Sequence, residues 1–175
     1  MTDGSAARLV AQHTALIPDF PKPEIVFRDL TPVFADGAAL RAVVDELVAP
    51  YAGRIDAVAG VEARGFVLAA AAAYSLGVGM LVVRKAGKLP SAVLAEGYAL
   101  EYGEATLEVQ VGALPPGSRV LLLDDVLATG GTLRAATTLI ERAGWVVSGV
   151  SVVLELPDLA GRAAVGHDVR ALTRA

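Results

Sequence analysis

The sequence predicts an α/β fold in which a largely parallel sheet is flanked by helices. Two observations indicate this fold. From residue 55 onward, short apolar segments alternate with segments of helical spacing. A buried strand predicted at residues 120–124 runs into a glycine-rich turn and then into a further helix. In such a sheet, ligands bind at the carboxyl ends of the strands, so the loops that follow the strands are the first place to look for function.

Composition limits the classes of protein to be considered. The chain has 175 residues, of which 54% are hydrophobic, and this is enough to bury a full core in a single domain spanning residues 1–175. A net charge of −4 offers no general attraction to nucleic acid or to an anionic membrane, so neither is an expected partner. The absence of cysteine excludes disulfides and thiolate metal sites, and with no signal peptide at the N-terminus it favours a cytoplasmic protein.

The longest nearly uncharged run, residues 66–83, is not a predicted membrane span. Gly77 and Gly79 interrupt it, and its helical half is only ~11 residues long where a bilayer needs ~20. We therefore expect a buried helix followed by a buried strand.

The elements can be predicted in chain order. Residues 6–16 have helical spacing, and three prolines then lead into an extended segment at residues 25–30. We call residues 1–35 the flap, because they precede the repeating core pattern of residues 36–175. Asp36 is a suitable N-cap for a helix that runs to about residue 48. The later strands are predicted at residues 55–61, 79–83, 120–124 and 146–156, and the later helices at residues 65–76 and 132–143.

Residues 124–132 carry the strongest chemical signal. Two carboxylates, Asp124 and Asp125, follow the predicted strand and precede the phosphate loop, which we define as residues 128–132. Backbone N–H groups at a helix start favour a phosphate, and glycine lets it approach closely; positive φ is expected at Gly131. Paired acids suit the vicinal hydroxyls of a ribose, so a ribose 5-phosphate is the implied ligand. The alternative is a purely structural strand end with a Gly-Gly turn.

Four cations follow two other predicted strands. Arg64 lies in the loop after the first, and Arg84, Lys85 and Lys88 lie in the loop after the second. Since all three loops meet at one sheet edge, these charges are placed to hold a second phosphate group, a diphosphate. The alternative is that they are ordinary solvated charges.

A long insertion, residues 89–109, separates two predicted strands. Short alternating runs on either side of Gly103 predict a hairpin. We call residues 88–110 the lid, because a long excursion above a reactive edge can close over it and exclude water. A solvent-exposed hairpin without a role is the alternative.

Residues 124–132 resemble the phosphoribosyl-pyrophosphate signature of the type I phosphoribosyltransferases. Residues 20–32, 60–66, 83–90 and 100–103 extend this resemblance along the chain and make it similar to the adenine phosphoribosyltransferases. The resemblance implies a purine-salvage enzyme that converts adenine and phosphoribosyl pyrophosphate to AMP and diphosphate. It also implies Mg²⁺ carried by the substrate, with no metal ligands from the protein, and a homodimer.

The resemblance further implies roles for individual residues. Catalysis is assigned to Glu101, Tyr102, Asp124 and Asp125. The phosphoribosyl group is assigned to Asp124, Asp125, Ala128, Thr129, Gly130, Gly131 and Thr132. Diphosphate is assigned to Glu62, Ala63, Arg64, Arg84, Lys85 and Lys88, with Arg84 and Lys85 acting within one subunit or across a dimer. Adenine is assigned to Val26, Phe27, Arg28 and Leu159. Two positions depart from the family pattern: Ala63 replaces a common serine, and Glu24 replaces a common glycine.

Two other functions remain open at this point. A phosphoribosyltransferase for hypoxanthine, xanthine or orotate would share most of these motifs. A non-catalytic protein that senses phosphoribosyl pyrophosphate would keep the phosphate loop, but it would need a nucleic-acid surface, which the charge does not favour. Glu101 is either a proton acceptor for the purine or a residue that steadies the lid.

Overall fold

The computed structural model describes residues 5–99 and 104–175, which form a seven-stranded sheet, a separate two-stranded sheet and six α-helices. The strands are β1 Ala15–Pro18, β2 Val26–Asp29, β3 Ala57–Val61, β4 Gly79–Lys85, β5 Val93–Ala99, β6 Glu104–Gln110, β7 Arg119–Leu127, β8 Val146–Glu155 and β9 Val169–Arg174. The helices are α1 Ser5–His13, α2 Thr31–Ala35, α3 Gly37–Val48, α4 Arg64–Leu76, α5 Gly131–Arg142 and α6 Arg162–Val165.

The order of strands in the large sheet is β5-β6-β4-β3-β7-β8-β9. Strands β4, β3, β7, β8 and β9 are parallel, whereas β6 runs antiparallel to β4, and β5 antiparallel to β6. The prediction of a mostly parallel α/β sheet is confirmed. Because the chain leaves β3 to pair first with β4 on one side and later with β7 on the other, a crevice opens at the carboxyl ends of β3 and β7.

Apolar side chains cover both faces of this sheet. On one face Leu121 and Leu123 of β7 pack with residues of α1, α3 and α4, and on the other face Val120 and Leu122 pack with residues of α5. Alternation along β7 follows from the two-residue period of a strand. Helices on both faces leave only the strand ends open, and this confines ligand access to the edge where the crevice lies.

The flap forms a hairpin that the sequence predicts only in part. β1 pairs antiparallel with β2, and the other edge of β2 has no strand partner among the described residues. The predicted helix 6–16 ends early, at His13, because residues 15–18 join this hairpin. The predicted cap of α3 is confirmed, since the Asp36 carboxylate accepts a hydrogen bond of 2.8 Å from the Ala39 N–H.

Three features of the large sheet differ from the prediction. β4 continues to Lys85 because its last two residues pair with β6, so Arg84 and Lys85 are strand residues and not loop residues. β7 continues to Leu127, three residues beyond the predicted end, because its parallel pairing with β8 continues to the Leu127–Glu155 pair. Asp124 and Asp125 therefore lie inside a strand and do not follow it. The edge strand β9 was not predicted, since its sequence mixes polar and apolar residues without a clear period.

The predicted hairpin in the lid is present, and its two strands extend the sheet through β4. Leu107 and Val109 of β6 are buried, and Arg142 of α5 donates a hydrogen bond of 3.0 Å to the Ala95 carbonyl oxygen of β5. Glu101 and Tyr102 lie outside the described residues. Among the helices of the described chain, none has the length and apolar character that crossing a membrane requires.

Candidate active site

Three chain segments meet at the crevice. The turn after β3 brings Glu62 and Ala63 to the first residue of α4, Arg64. The end of β4 contributes Arg84, and the end of β7 contributes the two aspartates and the phosphate loop. The three loops that the sequence assigns to one edge are therefore neighbours.

The phosphate loop is held close to another stretch of backbone. Gly130 has a φ of +83° and directly precedes the first residue of α5, Gly131. A Cβ atom on Gly130 would lie 2.3 Å from the carbonyl oxygen of Gly161. The expectation of positive φ at Gly131 is wrong: the left-handed residue is Gly130, because the chain must turn before the helix begins. A cavity of about 60 Å³ is lined by Asp124, Val126, Leu127, Ala128, Thr129, Gly130, Thr132 and Leu133.

The two aspartates have different surroundings. Asp125 is 6% exposed and forms an ion pair with the Arg64 guanidinium. The Asp124 carboxylate accepts a hydrogen bond of 2.9 Å from the Asp125 N–H. Burial, followed by the negative charge of Asp125, raises the pKa of Asp124 well above its usual value. Gly65 makes this arrangement possible, since a Cβ there would lie 2.9 Å from the Leu123 carbonyl oxygen.

Glu62 binds basic residues at the carboxyl end of β4. Its carboxylate forms an ion pair with the Lys88 ammonium and accepts hydrogen bonds from Arg84 Nε at 3.3 Å and from the Lys85 backbone N–H at 3.1 Å. The hydrogen bond from Lys88 is the main reason that the pKa of Glu62 falls to about 2. An ionised carboxylate repels a diphosphate, so any contribution of Glu62 to a diphosphate site acts through the cations that it orients.

Three other residues that the resemblance assigns to diphosphate have different surroundings. Arg84 and Lys85 are consecutive residues of β4, so their side chains project to opposite faces, and only the Arg84 side chain bonds to Glu62. Ala63 is the N-cap of α4 and provides no side-chain capping bond. The positive end of α4 remains directed at the crevice.

We predict that a Glu62→Gln variant loses stability in a pH-dependent manner. The pKa of Glu62 is depressed by folding, so the ion pair stabilises the native state above the unfolded pKa, and this contribution disappears as pH falls from about 4.5 to about 2. Wild type should have the higher unfolding temperature at pH 7, and the two proteins should converge near pH 2. A difference that stays constant over this range would contradict the ion-pair assignment.

The flap reaches the same crevice through Phe27. The Phe27 ring lies edge-on to Phe20, with centroids 5.2 Å apart, and the Arg64 Cζ atom is 5.6 Å from the Phe27 centroid. Arg64 therefore contacts a flap aromatic ring and the Asp125 carboxylate at once. An aromatic ring next to a cation suits a flat, apolar ligand. The nearby carboxylates suit a polar ligand beside it.

A fourth segment, which sequence reasoning covered only through Leu159, borders the site. Residues 156–161 follow β8, and we call them the base-facing segment because the family resemblance assigns Leu159 to adenine. Leu159 ends a short 3₁₀ turn there and is 39% exposed. Glu155 directly precedes this segment and forms an ion pair with Arg162. The hydrogen bonds from Arg162 are the main reason that the pKa of Glu155 is lowered. Gly161 touches the phosphate loop. A Gly-Arg pair soon after a predicted strand end is the signal that points to these contacts.

The described residues contain no group of three or more acidic or histidine side chains able to hold a metal ion by themselves. The acids in the crevice are each paired with a cation or with backbone N–H groups. The cations and backbone N–H groups of the crevice therefore suit an anionic ligand, and a metal counter-ion would have to come with that ligand.

Comparison with known proteins relates this site to one family. Residues 33–162 match the phosphoribosyl transferase domain. An adenine phosphoribosyltransferase from Clavibacter michiganensis subsp. michiganensis is 68% identical over 173 residues, which cover 98% of each chain. The structure of the Saccharomyces cerevisiae adenine phosphoribosyltransferase, in complex with an imino-altritol bisphosphate and adenine, superposes with a TM-score of 0.92 at 35% identity and covers 97% of this chain and 99% of that one.

A more distant structure has three ligands bound. The adenine phosphoribosyltransferase of Trypanosoma brucei, in complex with AMP, pyrophosphate and ribose-5-phosphate, superposes with a TM-score of 0.90 at 25% identity. The alignment covers 99% of this chain and 81% of that one.

Proposed function

We infer, from the premise that the chain belongs to the adenine phosphoribosyltransferase family, that it transfers the 5-phosphoribosyl group of phosphoribosyl pyrophosphate to adenine and releases AMP and diphosphate. This is a purine-salvage reaction. The observation that carries the assignment is the continuous contact from the flap through Arg64 to Asp125, beside the phosphate loop. It brings an aromatic base-stacking group, a cation and a carboxylate to one crevice.

The phosphoribosyl group binds to the end of β7. Backbone N–H groups of the phosphate loop and the positive end of α5 face the 5-phosphate, with hydroxyl donors from Thr129 and Thr132. Asp124 and Asp125 accept hydrogen bonds from the ribose hydroxyls. The negative charge of Asp125 repels the Asp124 carboxylate and helps to raise the pKa of Asp124. A hydrogen bond from a ribose hydroxyl polarises Asp125 and so weakens the repulsion between the two carboxylates.

The diphosphate binds to the cations beside β3 and β4. Arg64, Arg84 and Lys88 are already held near one another by Asp125 and Glu62, so little side-chain entropy is lost when diphosphate oxygens replace the carboxylates as partners. Mg²⁺ would enter this site as a companion of the substrate, since the described residues offer no group of three or more acidic or histidine side chains to hold it. When bound, it neutralises charge that develops on the leaving group.

Adenine binds between the flap and Leu159. The Phe27 ring stacks on the base, and Leu159 covers the opposite face. The free edge of β2 supplies backbone donors and acceptors from the segment that contains Val26 and Arg28. These groups meet the amino group and the N1 acceptor of adenine.

The reaction leaves positive charge on the ribose ring as diphosphate departs. Arg64 and its neighbours stabilise the leaving group, and adenine attacks the anomeric carbon from the opposite face. The strands of the lid are part of the sheet, and Glu101 and Tyr102 lie outside the described residues. As the family resemblance implies, closure of the lid excludes water, and Glu101 steadies the lid or accepts the proton from the purine.

Further proposals concern assembly and location. Lys85 projects away from Glu62, so we assign its action on diphosphate to a neighbouring subunit in a homodimer. The protein acts in the cytoplasm, as the composition predicts.

The test is a panel of bases. Incubation with Mg²⁺, phosphoribosyl pyrophosphate and adenine should give AMP and diphosphate in equal amounts. Guanine, xanthine and orotate in place of adenine should give far less nucleotide. Binding of phosphoribosyl pyrophosphate without nucleotide from any base would identify a sensor and contradict the proposal.

We predict that Asp125→Asn lowers turnover by tenfold to a hundredfold. It keeps the size of the side chain but removes charge-assisted hydrogen bonds to the ribose, each of which contributes ~1.5–3 kcal/mol. The matched control is Asp56→Asn, which breaks a carboxylate–arginine pair with Arg119 at the opposite end of β7. The control should turn over at the wild-type rate. Wild-type kinetics in Asp125→Asn would contradict the assignment of Asp125 to the ribose hydroxyls.

A further inference from the structure

Glu155 is a buried carboxylate to which the proposed reaction assigns no role. It ends β8, is 5% exposed and accepts two hydrogen bonds from Arg162, Nε to Oε1 at 2.6 Å and Nη2 to Oε2 at 2.7 Å. The remaining guanidinium nitrogen of Arg162 donates to the Val169 carbonyl oxygen. This fork geometry fixes the orientation of Arg162 as well as its position.

The ion pair spans the base-facing segment. At one end, the Leu156 N–H donates to the Leu127 carbonyl oxygen at 2.9 Å and continues the pairing of β8 with β7. At the other end, Arg162 begins α6 and returns to Glu155. The two ends of the segment are therefore both fixed at the carboxyl end of β8, one through β7 and the other through Glu155, with Leu159 at the turn between them.

The same segment supports the phosphate loop. A Cβ atom on Gly161 would lie 2.0 Å from the Ala128 carbonyl oxygen, so the two backbones are in direct contact. Gly130 touches Gly161 from the other side. A shift of residue 161 would therefore disturb its contact with the phosphate loop, and it would move the chain two residues beyond Leu159.

Stability alone does not account for this arrangement. A buried ion pair contributes little compared with well-packed apolar residues of the same volume, but it specifies one geometry. The helix that carries Arg162 has four residues and is too short to be stable by itself. Its place on the sheet thus depends on the contacts of Arg162 and on Val165, which is buried in the core.

We propose that Glu155 and Arg162 are positioning residues for the transfer reaction: their ion pair holds Leu159 against adenine and braces the phosphate loop through Gly161. This inference rests on the proposed function. It assigns base affinity to two side chains that do not touch the base.

The test uses Arg162→Lys, which keeps the charge and loses the fork. The KM for adenine should rise about tenfold, with a smaller change in kcat, because a displaced Leu159 weakens binding of the base. In a Leu159→Ala background the same substitution should add no more than about twofold, since it acts through Leu159. Glu155→Gln, which keeps the shape of the side chain, should reproduce the effect.

The matched control is Arg174→Met. Arg174 donates to the same carboxylate at 2.9 Å, but it belongs to β9, is 65% exposed and does not hold the base-facing segment. Its KM for adenine should equal that of wild type. An unchanged adenine KM in Arg162→Lys, or a full tenfold effect in the Leu159→Ala background, would overturn the inference while leaving the proposed function intact. A wild-type protein that forms no AMP would overturn both.

Discussion

A Gly130→Val variant should bind phosphoribosyl pyrophosphate roughly a hundredfold more weakly than wild type, or not at all. A branched residue at a φ of +83° is strained, and its Cβ would overlap the Gly161 carbonyl oxygen at 2.3 Å. The loop must move to relieve this overlap, which turns its N–H groups away from the phosphate. A loss of about 2.7 kcal/mol in binding corresponds to this hundredfold change. Calorimetric titration with phosphoribosyl pyrophosphate measures it directly.

Gly53→Val is the control that separates the effect of backbone strain from the effect of displacing the phosphate loop. Gly53 has a φ of +71°, and a Cβ there would meet no heavy atom within 4 Å. This control should lose some stability through backbone strain and keep its affinity for phosphoribosyl pyrophosphate. Equal affinities in Gly130→Val and wild type would show that the phosphate binds elsewhere.

The kcat/KM for adenine should be several hundredfold higher than the kcat/KM for hypoxanthine. A strand edge offers a carbonyl acceptor and an N–H donor side by side, which pair with the amino group and N1 of adenine. Hypoxanthine presents a carbonyl and an N–H at these positions, and each buried mismatch costs ~1–3 kcal/mol. Two mismatches give the stated ratio.

The ratio is measured from AMP and IMP formation under identical conditions. Comparable efficiencies for the two bases would refute reading of the base by the β2 backbone. The phosphoribosyl site would remain in place, because none of its contacts involves the flap edge.

The sheet and its helices were predictable because their signals are local. Residues 57–61 and 79–83 are continuous apolar runs, and Asp36 caps a helix with a clear apolar face. The position of the crevice followed from topology, since parallel strands end at one edge. The end of β7 was harder to place, because its last residues pair with β8, and this long-range contact outweighs the local turn signal.

Pairings between distant charges were not predictable. The sequence indicates that Glu62 and Lys88 lie near one edge, but not that the carboxylate would hold two cations, nor that Asp125 would pair with Arg64. Hydrogen-bond geometry depends on the relative position of several loops. The Glu155–Arg162 pair has the same origin, since the two residues meet only through the turn between them.

The central claim is that the flap and the phosphate loop form a single active site, with Phe27 over the base. The most direct test is the KM for adenine in Phe27→Ala, with Leu16→Ala, an exposed apolar residue on the other strand of the hairpin, as control. Loss of base–aromatic stacking, worth ~1–3 kcal/mol, should raise the KM of Phe27→Ala by roughly tenfold and keep the preference for adenine over hypoxanthine. Leu16→Ala should match wild type. An unchanged KM in Phe27→Ala would place the base away from the flap and contradict the account.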